Sequence, residues 1–324
     1  MKAWQVHEYG PYQEVMHWED IPAPVLPEAG VVFAVKAVPL QFMDALSVAG
    51  QYQIKAPLPF IPGSEAMGVV LKAGSKSRFS PGDRVVAGGL VGACAEQMAA
   101  LDMVAEAVPD DVSDTDAPIL RVTYETACLG LGHRAGLQAG ETLLVQGAAG
   151  GVGLAAVQVG KALGARVIAV AGGPEKARVC RENGADLVID HQESDFVQEV
   201  KSATGGRGAD VVFEPVGGEI FTRSTKCIAW GGRVLVVGFA SGEIPTLAVN
   251  RALVKHFSVV GFNVAGYFMH APQAIADARA QILAWYRAGK LKPVVHAAFP
   301  MKEAIAAFDE IAQRRVCGKV VLTA

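Results

Sequence analysis

The run Leu143-Leu144-Val145-Gln146-Gly147-Ala148-Ala149-Gly150-Gly151-Val152-Gly153, continuing into Leu154-Ala155-Ala156-Val157-Gln158-Val159, constrains this chain more than any other segment. It reads as a buried strand, a glycine-rich turn and the start of a helix. At such a junction the backbone N–H groups of a helix N-terminus face an anion, and absent side chains let a pyrophosphate approach the main chain. Measured against G-x-G-x-x-G, Gly150 and Gly153 hold the second and third glycine positions and Ala148 takes the first. Ordinary strand-to-helix turns also carry glycine strings, so context decides. A second apolar strand, Arg166–Val170, follows at the spacing of a βαβ unit. A dinucleotide is therefore expected against Ala149, Gly150, Gly151, Val152 and Gly153.

A chain of 324 residues, 51% of them hydrophobic and 19% charged, is long and apolar enough for two domains with large cores. Its formal charge of −3 provides no basic footprint for nucleic acid, and no block of like charges marks a tail or a membrane-surface segment. The segment Met1-Lys2-Ala3-Trp4-Gln5-Val6-His7-Glu8-Tyr9 lacks an apolar signal core, and no apolar stretch is long enough to span a bilayer. A soluble, cytoplasmic protein without nucleic-acid or membrane partners is expected. Cys94, Cys128, Cys180, Cys227 and Cys317 are scattered singly, which fits reduced, buried thiols better than a disulfide framework. The histidines form neither H-x-x-x-H nor H-E-x-x-H, so no local cluster has a metal-ligand spacing.

Residues 1 to about 120 are rich in short strands, among them Gly30–Val38, Ala66–Lys72 and Arg84–Ala87. Pro22, Pro24, Pro27, Pro57, Pro59, Pro62 and Pro81 belong between strands, because proline cannot donate to a sheet ladder. From about Ile119 the rhythm changes to strands alternating with helices: Thr142–Gln146, Arg166–Val170, Leu187–Asp190, Asp210–Phe213, Arg233–Val237 and Phe257–Phe262. Such alternation predicts a doubly wound parallel sheet, an α/β fold. The tail supplies a helix near Ala274–Ala288, a strand at Val294–Phe299, a helix at Met301–Gln313 and a last strand at Lys319–Thr323.

Several dispersed segments carry a resemblance over essentially the whole chain. They are Phe60-Ile61-Pro62-Gly63-Ser64-Glu65 with Gly68, Pro81-Gly82-Asp83-Arg84-Val85, Ala148–Gly153, Gly205-Gly206-Arg207-Gly208-Ala209-Asp210-Val211-Val212, Pro215-Val216-Gly217-Gly218, Gly231-Gly232-Arg233 and Gly318-Lys319-Val320-Val321-Leu322. Together they resemble the zinc-free quinone oxidoreductase branch, zeta-crystallin included, of the medium-chain dehydrogenase/reductase superfamily. The resemblance implies a GroES-like irregular β catalytic domain in residues 1–120 and 265–324, a Rossmann domain in 121–264 between them, and an active site in the interdomain cleft. Zinc-dependent relatives place a cysteine three positions before an aspartate and a histidine in Gly-His-Glu. Here Gln41 precedes Asp44, Ser64 stands in Gly63-Ser64-Glu65, and the four-cysteine structural lobe is missing, so no metal is expected.

An NAD-preferring Rossmann domain usually ends its second strand in Asp or Glu. Here the tip reads Ala171-Gly172-Gly173, with Lys176 three residues on. Family members specific for NADPH use a lysine there, an aromatic residue after the third strand and an arginine four residues before the C-terminal glycine. His191 and Arg314 hold the latter two positions, so NADPH is the expected cofactor; the plainer alternative leaves Lys176 and Arg314 as solvated surface charges, with Glu175 offsetting Lys176. By the same resemblance Gln41, Tyr52, Thr126 and the turn Gly238-Phe239-Ala240 surround the nicotinamide, with Asn250 and Asn263 nearby. Gln41 could orient a carboxamide or a substrate carbonyl, or be a polar strand-end residue. Tyr52 could donate to an acceptor oxygen or simply pack, Thr126 could be a helix-facing hydroxyl, and Tyr124 could wall the pocket. The expected activity is zinc-independent reduction of quinones or α,β-unsaturated carbonyls by hydride or single-electron transfer. Its rivals are an enone or enoyl-thioester reductase with little quinone activity and a non-catalytic NADPH-binding protein. Members of the branch pair across the edge strand at Phe257–Phe262, which implies a homodimer.

Overall fold

Short apolar runs broken by proline and glycine form the strands of the first unit, Met1–Arg121 with Val295–Ala324, in a computed structural model that describes residues 1–324. Strands β1 (Lys2–Val6) and β2 (Met16–Asp20) pair antiparallel as a ribbon. The long strand β3 (Gly30–Pro39) organises the rest. It pairs antiparallel with β4 (Glu65–Ala73) and β6 (Gln97–Leu101), β4 pairs with β5 (Arg84–Gly88), and β5 with β7 (Ala105–Ala107). Register shifts between Val32 and Phe33 and between Val35 and Ala37 bend β3 against β4. Gly68 permits this close approach, since a Cβ there would stand 2.1 Å from the Ala34 carbonyl oxygen. Phe33, Phe60, Met98 and Phe308 fill the core beneath, and the Trp4 indole N–H donates to the Met301 carbonyl at 2.8 Å.

The second unit, Val122–Val294, is built on six parallel strands. These are β8 (Thr142–Val145), β9 (Arg166–Ala171), β10 (Leu187–Asp190), β11 (Ala209–Glu214), β12 (Ile228–Val236) and β13 (Ser258–Gly261), ordered β10-β9-β8-β11-β12-β13. Helices Gly151–Ala162, Pro174–Glu182, Phe196–Ala203 and Gly218–Ser224 make the crossovers. Strand order reverses between β8 and β11, and in open α/β sheets the carboxyl ends at such a switch point form the ligand crevice. Strand β12 begins five residues before the expected Arg233. Ile228 already pairs with Ala209, and a register shift takes up the Gly231-Gly232 kink, where Gly231 has φ +74°.

The expected boundary at residue 264 differs from the packing. Residues 265–294 group with the second unit, because helix Pro272–Arg287 lays Ile275 and Ala278 against Leu129, and Arg279 Nε donates to the buried Glu125 carboxylate at 2.6 Å. Only from Val295 does the chain return to the first unit. There β14 (Val295–Pro300) runs parallel to β15 (Lys319–Thr323), and β15 pairs antiparallel with β3. The helix expected at Met301–Gln313 begins as a tight turn, Met301–Glu303, and continues as Ala304–Ala312. All five cysteines are free thiols, four of them buried.

Candidate active site

The switch point gathers most of the residues expected to hold a dinucleotide. The left-handed residue of the glycine-rich turn is Gly147, with φ +57°, one position before the expected Ala148, which is buried. Helix Gly151–Ala162 starts directly from Gly150, so the N–H groups of Gly151, Val152 and Gly153 belong to its first turn and have no intrahelical acceptor. Two glycines here answer to different causes. At Gly153 a Cβ would sit 2.3 Å from the Gly147 carbonyl oxygen, so the turn's own packing excludes a side chain. Gly150 has φ −74°, and a Cβ would meet nothing nearer than 3.5 Å. Protein contacts therefore do not require glycine at 150, and the open face suits the close approach of a phosphate.

Beside this turn stand the carboxyl-end loops of β11 and β12. A Cβ on Gly147 would touch Val216 at 3.4 Å, and Ala240 and Ser241 donate their N–H groups to the Pro215 and Val216 carbonyls at 3.0 and 2.8 Å, which ties Gly238-Phe239-Ala240 to the β11 loop. Glu214, fully buried at the end of β11, shapes that loop. Its Oε1 accepts from Val216 N at 2.7 Å and Gly217 N at 3.2 Å, and burial pushes its carboxyl up to about 7. Sequence reasoning passed over Glu214; its signal was an acidic residue directly after the apolar run Val211-Val212-Phe213.

At the tip of β9, Gly172 packs under the His191 ring: a Cβ would lie 2.8 Å from His191 Nε2. Lys176 lies in the first turn of helix Pro174–Glu182. The structure adds a carboxylate that the sequence reading did not weigh. Asp190, ending β10, accepts from Gly173 N and Gln192 N, both at 3.0 Å, and these bonds hold its carboxyl below the usual carboxylate range. Both oxygens thus serve the backbone of the turns around the tip. Thr126 is buried on helix Tyr124–Cys128. Tyr124, expected as a possible pocket wall, is buried in the helical layer, where its hydroxyl donates to Gln158 Oε1 at 2.9 Å. The side-chain oxygen of Asn263 accepts from Ala265 N at 3.0 Å and caps helix Val264–His270, leaving its NH2 group for other partners. Asn250 opens helix Asn250–Lys255.

In the first unit, Gln41 sits at the start of helix Phe42–Val48, its backbone N–H donating to Asp44 Oδ2 at 2.6 Å. Its carboxamide bridges two buried ionisable side chains. Lys319 Nζ donates to Gln41 Oε1 at 2.5 Å, and Gln41 Nε2 donates to Glu65 Oε1 at 2.9 Å. Asp44, Glu65, Lys319 and Ser64 are all buried, and Ser64 hydrogen-bonds the Asp44 carboxylate. Arg121 approaches Glu65 to 3.8 Å and donates to the Val104 carbonyl at 3.0 Å. Burial raises Asp44 to about 6 against the pull of its hydrogen bonds and of Lys319, and burial lowers Lys319 to about 8 against the pull of Glu65 and Asp44. Lys319 entered the sequence reading only as part of a glycine-lysine motif; nothing local in Gly318-Lys319-Val320 says that its ammonium points inward. Tyr52 is half-buried, and burial together with the Asp44 charge raises its phenol, which keeps the hydroxyl protonated at neutral pH. Arg314 adopts φ +55° between helix Ala304–Ala312 and β15.

A GroES-like β unit and a six-stranded parallel Rossmann sheet carrying a glycine-rich turn define the medium-chain dehydrogenase/reductase class. Residues 27–110 match the alcohol dehydrogenase GroES-like domain family and residues 151–280 the zinc-binding dehydrogenase family. Quinone oxidoreductase-like protein 2 homolog of Nematostella vectensis is 41% identical over 89% of this chain and 80% of its own length. Mouse quinone oxidoreductase is 32% identical over 96% of this chain and 94% of its own. The crystal structure of Escherichia coli quinone oxidoreductase complexed with NADPH superposes with a TM-score of 0.93 at 28% identity, covering 100% of both chains. The chain belongs to the quinone oxidoreductase branch of the medium-chain dehydrogenase/reductase superfamily. It is an oxidoreductase by that membership. No helix is long and apolar enough to cross a membrane.

Proposed function

We propose that this protein is a zinc-independent reductase that uses NADPH to reduce a quinone or an α,β-unsaturated carbonyl. The side-chain set around Gln41 carries the reading. At the positions where zinc-dependent relatives present cysteine and histidine, this chain presents the Gln41 carboxamide and the Ser64 hydroxyl, and the space between the buried carboxylates is served by the Lys319 ammonium. An ammonium repels a divalent cation, and no group of three or more His, Cys, Asp or Glu side chains is placed to hold one. Alcohol oxidation without a Lewis acid is hard, whereas an electrophilic conjugated carbonyl needs little activation.

The dinucleotide fits the second unit. Gly150 leaves its face open, the first turn of helix Gly151–Ala162 offers N–H groups to a pyrophosphate, and the Gly238-Phe239-Ala240 turn borders the same switch point. Lys176, His191 and Arg314 are assigned to the 2′-phosphate, in keeping with a β9 tip that ends in Ala171-Gly172-Gly173 rather than in a carboxylate. When bound, NADPH supplies the hydride. In the first unit, Gln41 and Tyr52 are assigned to the acceptor as hydrogen-bond donors; in the second, Thr126 and the Asn263 NH2 group are assigned to the nicotinamide. Positioning supplies most of the rate, on the order of 7–11 kcal/mol for a well-aligned pair in a dry site.

Anaerobic NADPH oxidation against a panel of quinones, enones and enoyl thioesters tests the proposal. Turnover of quinones or enones is expected, unaffected by chelators. Turnover of enoyl thioesters alone would move the assignment to the narrower reductase, and no turnover of any acceptor would leave a cofactor-binding protein.

A further inference from the structure

The Gln41 carboxamide is held by one partner that can only donate and one that accepts. Lys319 carries an ammonium with no acceptor capacity and lies 2.5 Å from Oε1; the Glu65 Oε1 atom, 2.9 Å from Nε2, accepts from it. Turning the amide over would set an ammonium against an NH2 group and a carboxylate against a carbonyl oxygen. Both contacts would be repulsive in a buried, weakly screened setting. The orientation is thereby pinned. Of these three residues Gln41 alone keeps partial exposure, while Lys319 and Glu65 are buried. One N–H of Nε2 is used on Glu65, and an amide nitrogen carries a second.

We propose that Lys319 and Glu65 are positioning residues that fix Gln41 as a hydrogen-bond donor aimed at the carbonyl oxygen of the acceptor, and so select substrates in which negative charge develops on that oxygen. The inference rests on the reductase reading above. In that reaction the acceptor gains a hydride, hence two electrons and one hydrogen nucleus, and NADPH becomes NADP+. The negative charge left on the acceptor oxygen is neutralised by a proton from solvent. A donor N–H that strengthens its bond as charge develops there lowers the barrier, whereas a freely turning amide spends part of its time presenting a carbonyl oxygen to the same anion.

Three groups face the Lys319 ammonium: the Gln41 amide and Asp44 from the helix Phe42–Val48 and its cap, and Glu65 from β4. Arg121 stands behind Glu65, and Tyr52 and Cys94 sense the charge of Asp44. Deprotonation of Lys319, whose ammonium burial destabilises, weakens its hold on Oε1. The hydride-transfer rate should then decline on the alkaline side in the native enzyme and lose that decline in Lys319→Arg, whose guanidinium stays charged.

Two measurements decide the matter. In protein labelled with 15N-glutamine, the Gln41 side-chain NH2 pair should show one proton well downfield from the Glu65 bond. Its shift should move as Lys319 titrates; a resonance that ignores pH and matches an exposed glutamine would overturn the pinning without any activity being needed. In stopped-flow reduction of a quinone and an enone, Lys319→Met should slow hydride transfer by about ten- to a hundredfold while NADPH Kd changes by less than about twofold, and Lys319→Arg should restore most of the rate. Equal hydride-transfer rates in native protein and Lys319→Met, or a loss confined to NADPH Kd, would refute the positioning role. If Lys319→Met fails to fold, the native pH titration and Lys319→Arg still decide. Failure of the native protein to reduce any acceptor would sink the reductase reading alone, and the Gln41 resonance would remain to judge the pinned amide.

Discussion

Glu214 shows how a single buried carboxylate can be tied to both local shape and pH. Its Oε1 bonds hold the Pro215–Gly217 backbone, yet burial raises it from 4.5 to about 7. Between those values the folded protein keeps a proton that the unfolded chain releases. The associated stability is thus fully present below pH 4.5 and is lost as pH rises to about 7. Urea unfolding should find Glu214→Gln relieved of on the order of 2 kcal/mol of that loss between pH 5 and pH 8. An unchanged pH dependence would show that the carboxylate titrates normally. Lys176 and Arg314 test cofactor choice at the same scale. Replacing either by Ala should weaken NADPH binding by roughly 1.5–3 kcal/mol per lost charge-assisted contact and leave NADH nearly untouched. Fluorescence titration with both cofactors checks this, and equal losses would place these side chains away from the 2′-phosphate.

At the scale of elements, the strand-turn-helix unit separates packing from binding. Gly153→Ala would drive a Cβ to within 2.3 Å of the Gly147 carbonyl oxygen, so helix and turn must move apart. A destabilisation of about 1–3 kcal/mol follows from such overpacking. Gly150→Ala meets only a contact at 3.5 Å and an unstrained φ of −74°, and should lose about 1 kcal/mol at most, from the poorer helix cap. Its NADPH Kd should nonetheless rise by at least about tenfold, because the methyl would stand where the pyrophosphate approaches the backbone. Thermal melts and cofactor titrations on both variants measure the contrast; unaltered NADPH binding in Gly150→Ala would contradict the placement of the cofactor. These elements were legible beforehand because apolar strands and glycine turns are written locally. The start of β12 was not, since Gly231-Gly232 interrupts the apolar run and only pairing with β11 carries the strand across it.

For the whole molecule, β13 is an edge strand of the six-stranded sheet and exposes Val259, while Trp230, Leu253 and Val254 of the same unit are also exposed. An open apolar edge invites pairing with a second copy. Sedimentation at micromolar concentration should show a dimer that Val259→Lys shifts toward monomer, and a monomeric native protein would refute it. Residues 265–294 make the larger point about domain organisation. Their assignment to the first unit came from likeness to a family, whereas Ile275, Ala278 and the Arg279–Glu125 pair attach them to the second.

By itself the sequence determined the fold class, the parallel sheet and its glycine-rich turn, because hydrophobic period and glycine placement act over a few residues. The resemblance it carries also implied that Gln41 and Ser64 stand where zinc-dependent relatives have metal-binding residue types. Only the tertiary structure decided what stands among them. Lys319 is 278 residues from Gln41 along the chain and reaches it because β15 pairs with β3. Burial then sets the protonation of Asp44, Glu214 and Lys319 through desolvation, a property of the packed surroundings that no short stretch of residues contains.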